Sequence, residues 1–135
     1  MYLTEEEIAI YEKEVLLKED KEILFEMTNL RKKHTGLPMN IWLDDIGAYR
    51  NIKHNVPRIK FQNDKSDKVL DNTIPISIDK ENPQILTKTV QLKLPQKDFK
   101  KLYDFIKDNY DLLIKFWNQE IDIFEFMSDM KKAPQ

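Results

Sequence analysis

The chain has 135 residues and a net charge of −2 at neutral pH; 41% of its residues are hydrophobic and 34% are charged. This length and composition predict a single domain over residues 1–135 with a packed core, and they exclude a disordered chain. The absence of cysteine excludes disulfides, thiolate metal sites and cysteine nucleophiles. No apolar run approaches the roughly 18 residues of a membrane span, and the N-terminus lacks the pattern of a signal peptide. We therefore expect a cytoplasmic bacterial protein without a membrane partner.

Charge is distributed unevenly along the chain. Residues 1–30 hold nine acids and three lysines, a net charge of −6, whereas residues 46–63 hold four arginines and lysines and no acid, a net charge of +4. This pattern excludes a uniformly basic nucleic-acid binder, but it is compatible with one basic face on an acidic protein.

Residues 1–36 are predicted to be an acidic helical segment. Thr4 and Glu7 are spaced as a capping box. Apolar residues follow in one helical stripe at Ile8, Tyr11 and Val15. The stripe falters after Val15 and resumes in a shifted phase, so residues 4–34 form either one long helix with a polar middle or two helices. Basic residues and Gly36 are expected to end this segment.

Residues 37–94 are predicted to be rich in β-strands, and the short links between them favour antiparallel pairing. The expected strands are 40–43, 58–62, 74–78 and a last one within 84–94, where Val90, Leu92 and Leu94 alternate. Pro75 suggests an edge strand. Trp42 lies in an apolar pattern and is expected to be a core residue.

Residues 95–132 are predicted to be helical, with a start near Pro95, a bend at Asn109 and a last helix capped by Asp122. The last helix is expected to turn Ile123, Phe126, Met127 and Met130 inward. Trp117 is a second expected core residue. Strands flanked by helices predict an α+β fold, in which helices pack on one face of a small, mainly antiparallel sheet.

The basic segment is the candidate site, because its side chains are of the kinds that grip phosphates and stack on bases. The candidate anion-binding residues are Arg50, Lys53, His54, Arg58 and Lys60. Arg58 and Lys60 alternate with apolar residues, so we expect them to project from the open face of the sheet. The alternative is that these are ordinary surface charges on a hairpin.

Catalytic and metal-binding interpretations also exist for the residues of this segment and its neighbours Asp44 and Asp45. His54 has the chemistry of a general acid or base; the alternative is a loop histidine that fixes the turn before Pro57. Asp44 and Asp45 with Lys60 evoke a metal-dependent nuclease, yet Arg58 stands where the second acid is needed. We therefore expect no metal and no cofactor. His34 is expected to complement the C-terminus of its helix.

Three segments carry a resemblance: Thr35-Gly36-Leu37-Pro38, residues 58–61, and a helix with Leu112, Leu113, Trp117 and Asn118. In this layout, from about Leu24 to Met130, the chain resembles a group of small bacterial proteins of unknown function. His54, Asn55 and Pro57 also resemble part of the His-x-Pro-Pro-His-Phe-His family, proposed to form toxin–antitoxin pairs. Arg58 and Lys60 stand where that family has its later histidines, which argues against a histidine-based site.

Three functions follow as hypotheses. The first is a non-enzymatic binding module that contacts an acidic protein or a nucleic-acid backbone through the basic hairpin. The second is a metal-independent ribonuclease of toxin type, in which His54 and Tyr49 move protons while Arg50, Arg58 and Lys60 stabilise the charge of the transition state. The third is a homodimeric interaction protein that acts through the N-terminal helix.

Overall fold

The structure is a computed structural model that describes residues 3–14, 28–46, 56–66, 73–87 and 91–134. Five helices and four strands lie within these ranges. The helices are α1 (Glu5–Glu14), α2 (Lys32–Thr35), α3 (Gln96–Asp108), α4 (Tyr110–Trp117) and α5 (Ile123–Asp129). The strands are β1 (Thr28–Leu30), β2 (Ile41–Leu43), β3 (Arg58–Gln62) and β4 (Thr73–Ser77).

The four strands form one antiparallel sheet in the order β1-β2-β3-β4. Each strand pairs with the next one in the sequence, so the sheet is a meander. Antiparallel neighbours need no crossover helix, which agrees with the short links between the strands. The predicted strands in residues 40–43, 58–62 and 74–78 are thereby confirmed.

The core lies between one face of this sheet and the C-terminal helices. Strand residues of alternating position supply the sheet side, namely Leu30, Ile41, Leu43, Ile59, Phe61, Ile74 and Ile76. The helices supply Leu102, Phe105, Ile106, Leu113, Trp117 and Phe126. Phe61 of β3 and Phe99 of α3 meet edge to face at a centroid distance of 6.0 Å. The predicted α+β class is therefore confirmed, with helices packed on one face of an antiparallel sheet.

The second face of the sheet is polar in sequence but is also buried. Asn29, Trp42, Lys60 and Pro75 are consecutive cross-strand partners on it. Trp42 is 3% exposed and Lys60 is 7% exposed. Trp42 and Trp117 are both buried, as expected.

The outer edge of β4 is covered by the chain that follows it. Ile76 forms an isolated bridge with Ile85. The amide of Ser77 donates to the carbonyl of Gln84 (2.8 Å), and the amide of Leu86 donates to the carbonyl of Pro75 (3.0 Å). Pro75 has no N–H to offer, which suits an edge strand.

The N-terminal prediction is confirmed at its start and wrong at its end. The amide of Glu7 donates to Oγ1 of Thr4 (3.1 Å), and Thr4 donates back to the carboxylate of Glu7 (3.3 Å), as a capping box requires. Residues 28–30 are strand β1 rather than helix, so one helix over residues 4–34 is excluded. Pairing with β2 buries Leu30 opposite Ile41, and this tertiary contact overrides local helix propensity. Residues 15–27 lie outside the described residues.

Gly36 caps a helix, but that helix is the single turn α2. Its φ of 77° is left-handed, and its amide donates to the carbonyl of Lys32. A Cβ at this position would lie 2.7 Å from the carbonyl oxygen of Ala133. Glycine is therefore required both by the backbone conformation and by the close approach of the C-terminal tail.

The predicted strand within residues 84–94 is wrong for its described part. Apart from the bridge at Ile85, these residues pair with no strand, and Leu92 is 39% exposed while Leu94 is 7% exposed. The side chain of Asn63 replaces a partner strand: Nδ2 donates to the carbonyl of Gln91 and Oδ1 accepts from the amide of Lys93, both at 2.9 Å. Val90 lies outside the described residues.

The C-terminal prediction is mostly confirmed. Helix α3 starts after Pro95, Asn109 separates α3 from α4, and Asp122 accepts from the amide of Glu125 (2.8 Å) as the cap of α5. Phe126 is buried, but Met127 is 36% exposed, so its predicted inward position is wrong. In the part of the chain described here, no helix is long and apolar enough to cross a membrane.

Candidate functional site

The basic segment predicted as the site is only partly described. Tyr49, Arg50, Lys53 and His54 lie outside the described residues. The other two predicted contacts, Arg58 and Lys60, lie on the second face of the sheet and are 0% and 7% exposed. The prediction that they project from an open face is wrong. Alternation identifies the face that a side chain occupies, but it does not reveal what covers that face.

Arg58 is placed for a structural role. Its Nη2 lies 3.7 Å from Oδ2 of Asp44, and its guanidinium carbon lies 5.2 Å from the ring centroid of Trp117. Nη1 donates to the carbonyl of Val56 (3.3 Å). A planar guanidinium suits a buried position of this kind, because it pairs with a carboxylate and lies over an aromatic ring at once. Arg58 therefore connects the sheet to α4.

The other polar residues singled out by sequence also take local roles. Asp44 accepts from the amide of Asp45 (2.8 Å) and pairs with Arg58, so neither acid is arranged as part of a described metal cluster. His34 lies within α2, and its Nδ1 accepts from the amide of Arg31 (3.2 Å). His34 therefore satisfies the start of a helix, which corrects the predicted role at a C-terminus.

A different basic surface lies at the opposite end of β3. Its centre is Asp98, which is 3% exposed and whose Oδ2 lies 2.9 Å from Nζ of Lys65. Lys97 and Lys101 are exposed on the same helix, beside Asp98. Nζ of Lys32 donates to the carbonyl of Lys65, which joins α2 to this group. We call these four lysines the lysine face; with Asp98 they carry four positive charges and one negative, a net charge of +3.

The pKa of Asp98 reports this concentration of positive charge. The hydrogen bond from Lys65 is the largest influence and holds the pKa of Asp98 below its ordinary value, although burial acts in the opposite direction. The charges of Lys65, Lys97 and Lys101 lower the pKa further. Asp98 is therefore a carboxylate at neutral pH, and it neutralises only part of the charge around it.

Buried amides fix the position of the lysine face. Asn40 donates to Oε1 of Gln62 (3.1 Å) and accepts from the amide of Lys32 (3.2 Å) through its Oδ1. Gln62 in turn donates to Asp64 (2.6 Å), which also accepts from the amide of Ser66 (2.9 Å). Asn40 is 1% and Gln62 is 0% exposed. The first turn of α2 and the turn that carries Lys65 are thus attached to the interior of the protein.

The start of α3 is anchored in the same region. Asn63 holds Gln91 and Lys93 through both ends of its amide, so the segment leading into α3 is fixed against the end of β3. Lys33 and Arg31 are exposed beside Lys32. Three buried amide side chains therefore support the lysine face: Asn40 just before β2, Gln62 at the end of β3 and Asn63 just after it.

Two electrostatic rules are broken on the lysine face. Lys97 and Lys101 are like charges four residues apart on one helix, which costs about 0.2–0.5 kcal/mol. Lys97 also lies in the first turn of α3, where the helix dipole disfavours a cation. Neither lysine has an ion pair among the described residues. Local arrangements that disfavour folding are expected where a protein meets a ligand.

Sequence reasoning missed most of this site. It treated the basic residues before Gly36 only as the end of the N-terminal segment, and it assigned Lys97 and Lys101 no role. The available signal was two lysines at helical spacing directly after Pro95, at the start of a helix. Nothing in the sequence indicates that Lys65 joins them, because that contact depends on how β3 and α3 pack.

Comparison of the chain with protein-family models, with curated proteins and with solved structures gave no match. The resemblances drawn from residues 35–38, 54–61 and 112–118 therefore stay predictions.

Proposed function

We propose that the protein is a non-enzymatic binding module whose lysine face contacts the sugar–phosphate backbone of a nucleic acid. The observation that carries the proposal is the pair Lys97 and Lys101, which are exposed and lie beside a single buried carboxylate. A surface with a net charge of +3 in a small area attracts a polyanion through the release of condensed counterions.

The chemistry of the lysine face favours phosphate over an acidic protein. Its charged groups are all lysines, which are point charges that suit single phosphate oxygens. Lysine is depleted from protein–protein interfaces, where arginine and aromatic residues dominate. Contacts to phosphate carry no base-specific information, so this part of the binding is independent of sequence.

The proposal changes which residues we assign to the binding surface. Arg58 and Lys60 are buried, and we leave them out of it. Arg50, Lys53 and His54 stay predicted contacts from the sequence, and the proposal does not depend on them. The ribonuclease hypothesis required His54 and Tyr49 together with Arg58, and the burial of Arg58 does not favour it.

Fluorescence anisotropy with a labelled single-stranded oligonucleotide of about 16 nucleotides tests the proposal. Binding is measured from about 50 to about 200 mM salt. The double variant Lys97→Ala/Lys101→Ala is expected to bind more weakly. The slope of log K against log salt is expected to fall by about 1.4, since each lost contact to a single strand removes about 0.7. The matched control is Lys115→Ala/Lys132→Ala, which removes the same charge from α4 and the tail.

Two results would overturn the proposal. One is an equal loss of affinity in both double variants, because the effect would then reflect net charge alone. The other is binding to an acidic polypeptide such as polyglutamate with no binding to the oligonucleotide, which would assign the lysine face to a protein partner.

A further inference from the structure

A recess opens on α3 directly beside the lysine face. It has a volume of about 430 Å³ and is lined by Gln96, Lys97, Phe99, Lys100 and Tyr103. The recess is shallow and open to solvent. Its lining combines two aromatic side chains with two lysines, and only Phe99 among them also packs on the sheet.

The two aromatic rings of the recess are held in place. Phe99 and Tyr103 lie one turn apart with ring centroids 6.3 Å from each other, and both side chains are partly exposed. Phe99 rests on Phe61 in the core. The hydroxyl of Tyr103 donates to Oδ1 of Asn82, and Nζ of Lys107 lies 5.6 Å from the ring centroid of Tyr103. Rings fixed in this way lose little freedom when a flat group stacks on them.

Resting on the proposed function, we infer that this recess takes one unpaired base of a single strand whose phosphates lie on the lysine face. The flat apolar surface of a base matches the rings of Phe99 and Tyr103, and Lys97 belongs to both the recess and the lysine face. The amide of Gln96 supplies a donor and an acceptor for a base edge.

The charges around the recess agree with a strand that passes through it. Lys97 and Lys100 lie on its rim, where the phosphates on either side of the base would meet them. Lys100 donates to Oδ2 of Asp104 (2.9 Å), and both side chains are exposed, so a phosphate can replace this weak surface pair. In a duplex the faces of the bases are stacked inside, so no base face is available to the rings of the recess. The recess therefore gives a preference for single strands that the lysine face alone would not give.

The test compares three probes of equal length: a single strand of thymidines, the same backbone with abasic sites, and a duplex. The protein is expected to bind the thymidine strand about 5- to 140-fold more tightly than the abasic strand, as follows from about 1–3 kcal/mol per stacked base. Tyr103→Leu is expected to remove most of that difference and to leave binding to the abasic strand within about twofold, since the phosphate contacts remain. Tyr110→Leu on α4 is the matched control and should retain the difference.

The outcomes separate the inference from the function on which it rests. Equal affinity of the unaltered protein for the thymidine and abasic strands would overturn the inference while leaving phosphate binding in place. Tighter binding to the duplex than to the thymidine strand would also overturn the inference and leave phosphate binding in place. No binding to any probe would overturn both. If circular dichroism shows that the Tyr103→Leu variant is unfolded, the inference is still tested by comparing the affinities of the unaltered protein for the thymidine and abasic strands.

Discussion

The carboxylate of Asp98 and the ammonium of Lys65 meet at 2.9 Å, where the interior of the protein borders solvent. The side chain of Asp98 is 5% exposed, whereas that of Lys65 is 49% exposed. This ion pair ties the first turn of α3 to the turn after β3. It therefore influences both the stability of the fold and the charge of the lysine face.

Replacing Asp98 by asparagine is expected to move stability and binding in opposite directions. The variant loses the charge that pairs with Lys65, so its free energy of unfolding falls. The lysine face rises from a net charge of +3 to +4, so the affinity for an oligonucleotide increases. Urea unfolding and anisotropy measure the two effects. Asp104→Asn makes the same charge change on the exposed side of α3 and should leave stability nearly unchanged. Weaker binding by Asp98→Asn would contradict the proposed role of the lysine face.

The stability of the protein is expected to depend on Asp98 in acid. Lys65 lowers the pKa of Asp98 in the folded state, so the unfolded state binds a proton more readily. The stabilisation is complete above the ordinary aspartate pKa of about 3.9, and it is lost as the pH falls through the lower folded pKa. Urea unfolding from neutral pH down through this range should show a smaller loss for Asp98→Asn than for the unaltered protein. Identical pH profiles would show that the ion pair contributes nothing.

Arg58 is expected to matter for folding and not for binding. Arg58→Met removes the guanidinium that pairs with Asp44. Breaking a buried ion pair lowers the free energy of unfolding by about 3–5 kcal/mol. The double variant with Asp44→Asn should recover part of that loss. Because the guanidinium lies near Trp117, the fluorescence of tryptophan should follow the change. A variant that keeps its stability but loses oligonucleotide affinity would instead make Arg58 a contact residue.

Gly36→Ala is expected to destabilise the protein by about 2 kcal/mol or more. The left-handed conformation alone costs a residue with a Cβ about 1–2 kcal/mol, and the new Cβ would also meet the carbonyl of Ala133. Thermal unfolding measures the loss. In a chain truncated after Lys132 the same substitution should cost only the conformational part. An equal cost in both chains would mean that the tail does not press on Gly36.

Asn109→Ala is expected to cost about 2–4 kcal/mol, because it leaves buried polar groups unpaired. The side chain donates to the carbonyls of Phe105 and Lys131 (both 3.0 Å) and accepts from the amide of Lys131 (2.7 Å). Limited proteolysis should show earlier cleavage of the C-terminal tail. Asn118→Ala, at an exposed position after α4, is the control and should have little effect. Unchanged protection of the tail would contradict this account.

Local signals predicted local structure well. The alternation of residues 58–62 matches β3, and Thr4 and Asp122 cap their helices as predicted. These features depend on neighbours within a few residues, which a sequence displays directly. Strand β1 was missed because only its pairing with β2 makes three residues a strand. The last predicted strand, within residues 84–94, is wrong for its described part because the amide of Asn63 substitutes for the expected ladder.

The candidate site was harder to predict because it depends on distant contacts. Gln62 lies four positions after Arg58, so the two ends of β3 are roughly 13 Å apart at about 3.3 Å per residue. The basic residues that cluster in the sequence indicated a site at the end of β3 that carries Arg58, where the charged side chain is buried. The lysine face gathers residues 32, 65, 97 and 101, and the Lys65–Asp98 contact that links two of its segments spans 33 positions of the sequence.

The cover over the outer edge of β4 has a consequence for behaviour in concentrated solution. Exposed strand edges present free backbone donors and acceptors on which other chains can grow into aggregates. Here the amide of Ser77 and the carbonyl of Pro75 are already hydrogen-bonded to the backbone of Gln84 and Leu86, and Pro75 has no N–H to donate. At Pro75 and Ser77 the edge of β4 is thereby closed to the intermolecular strand addition that begins fibril formation.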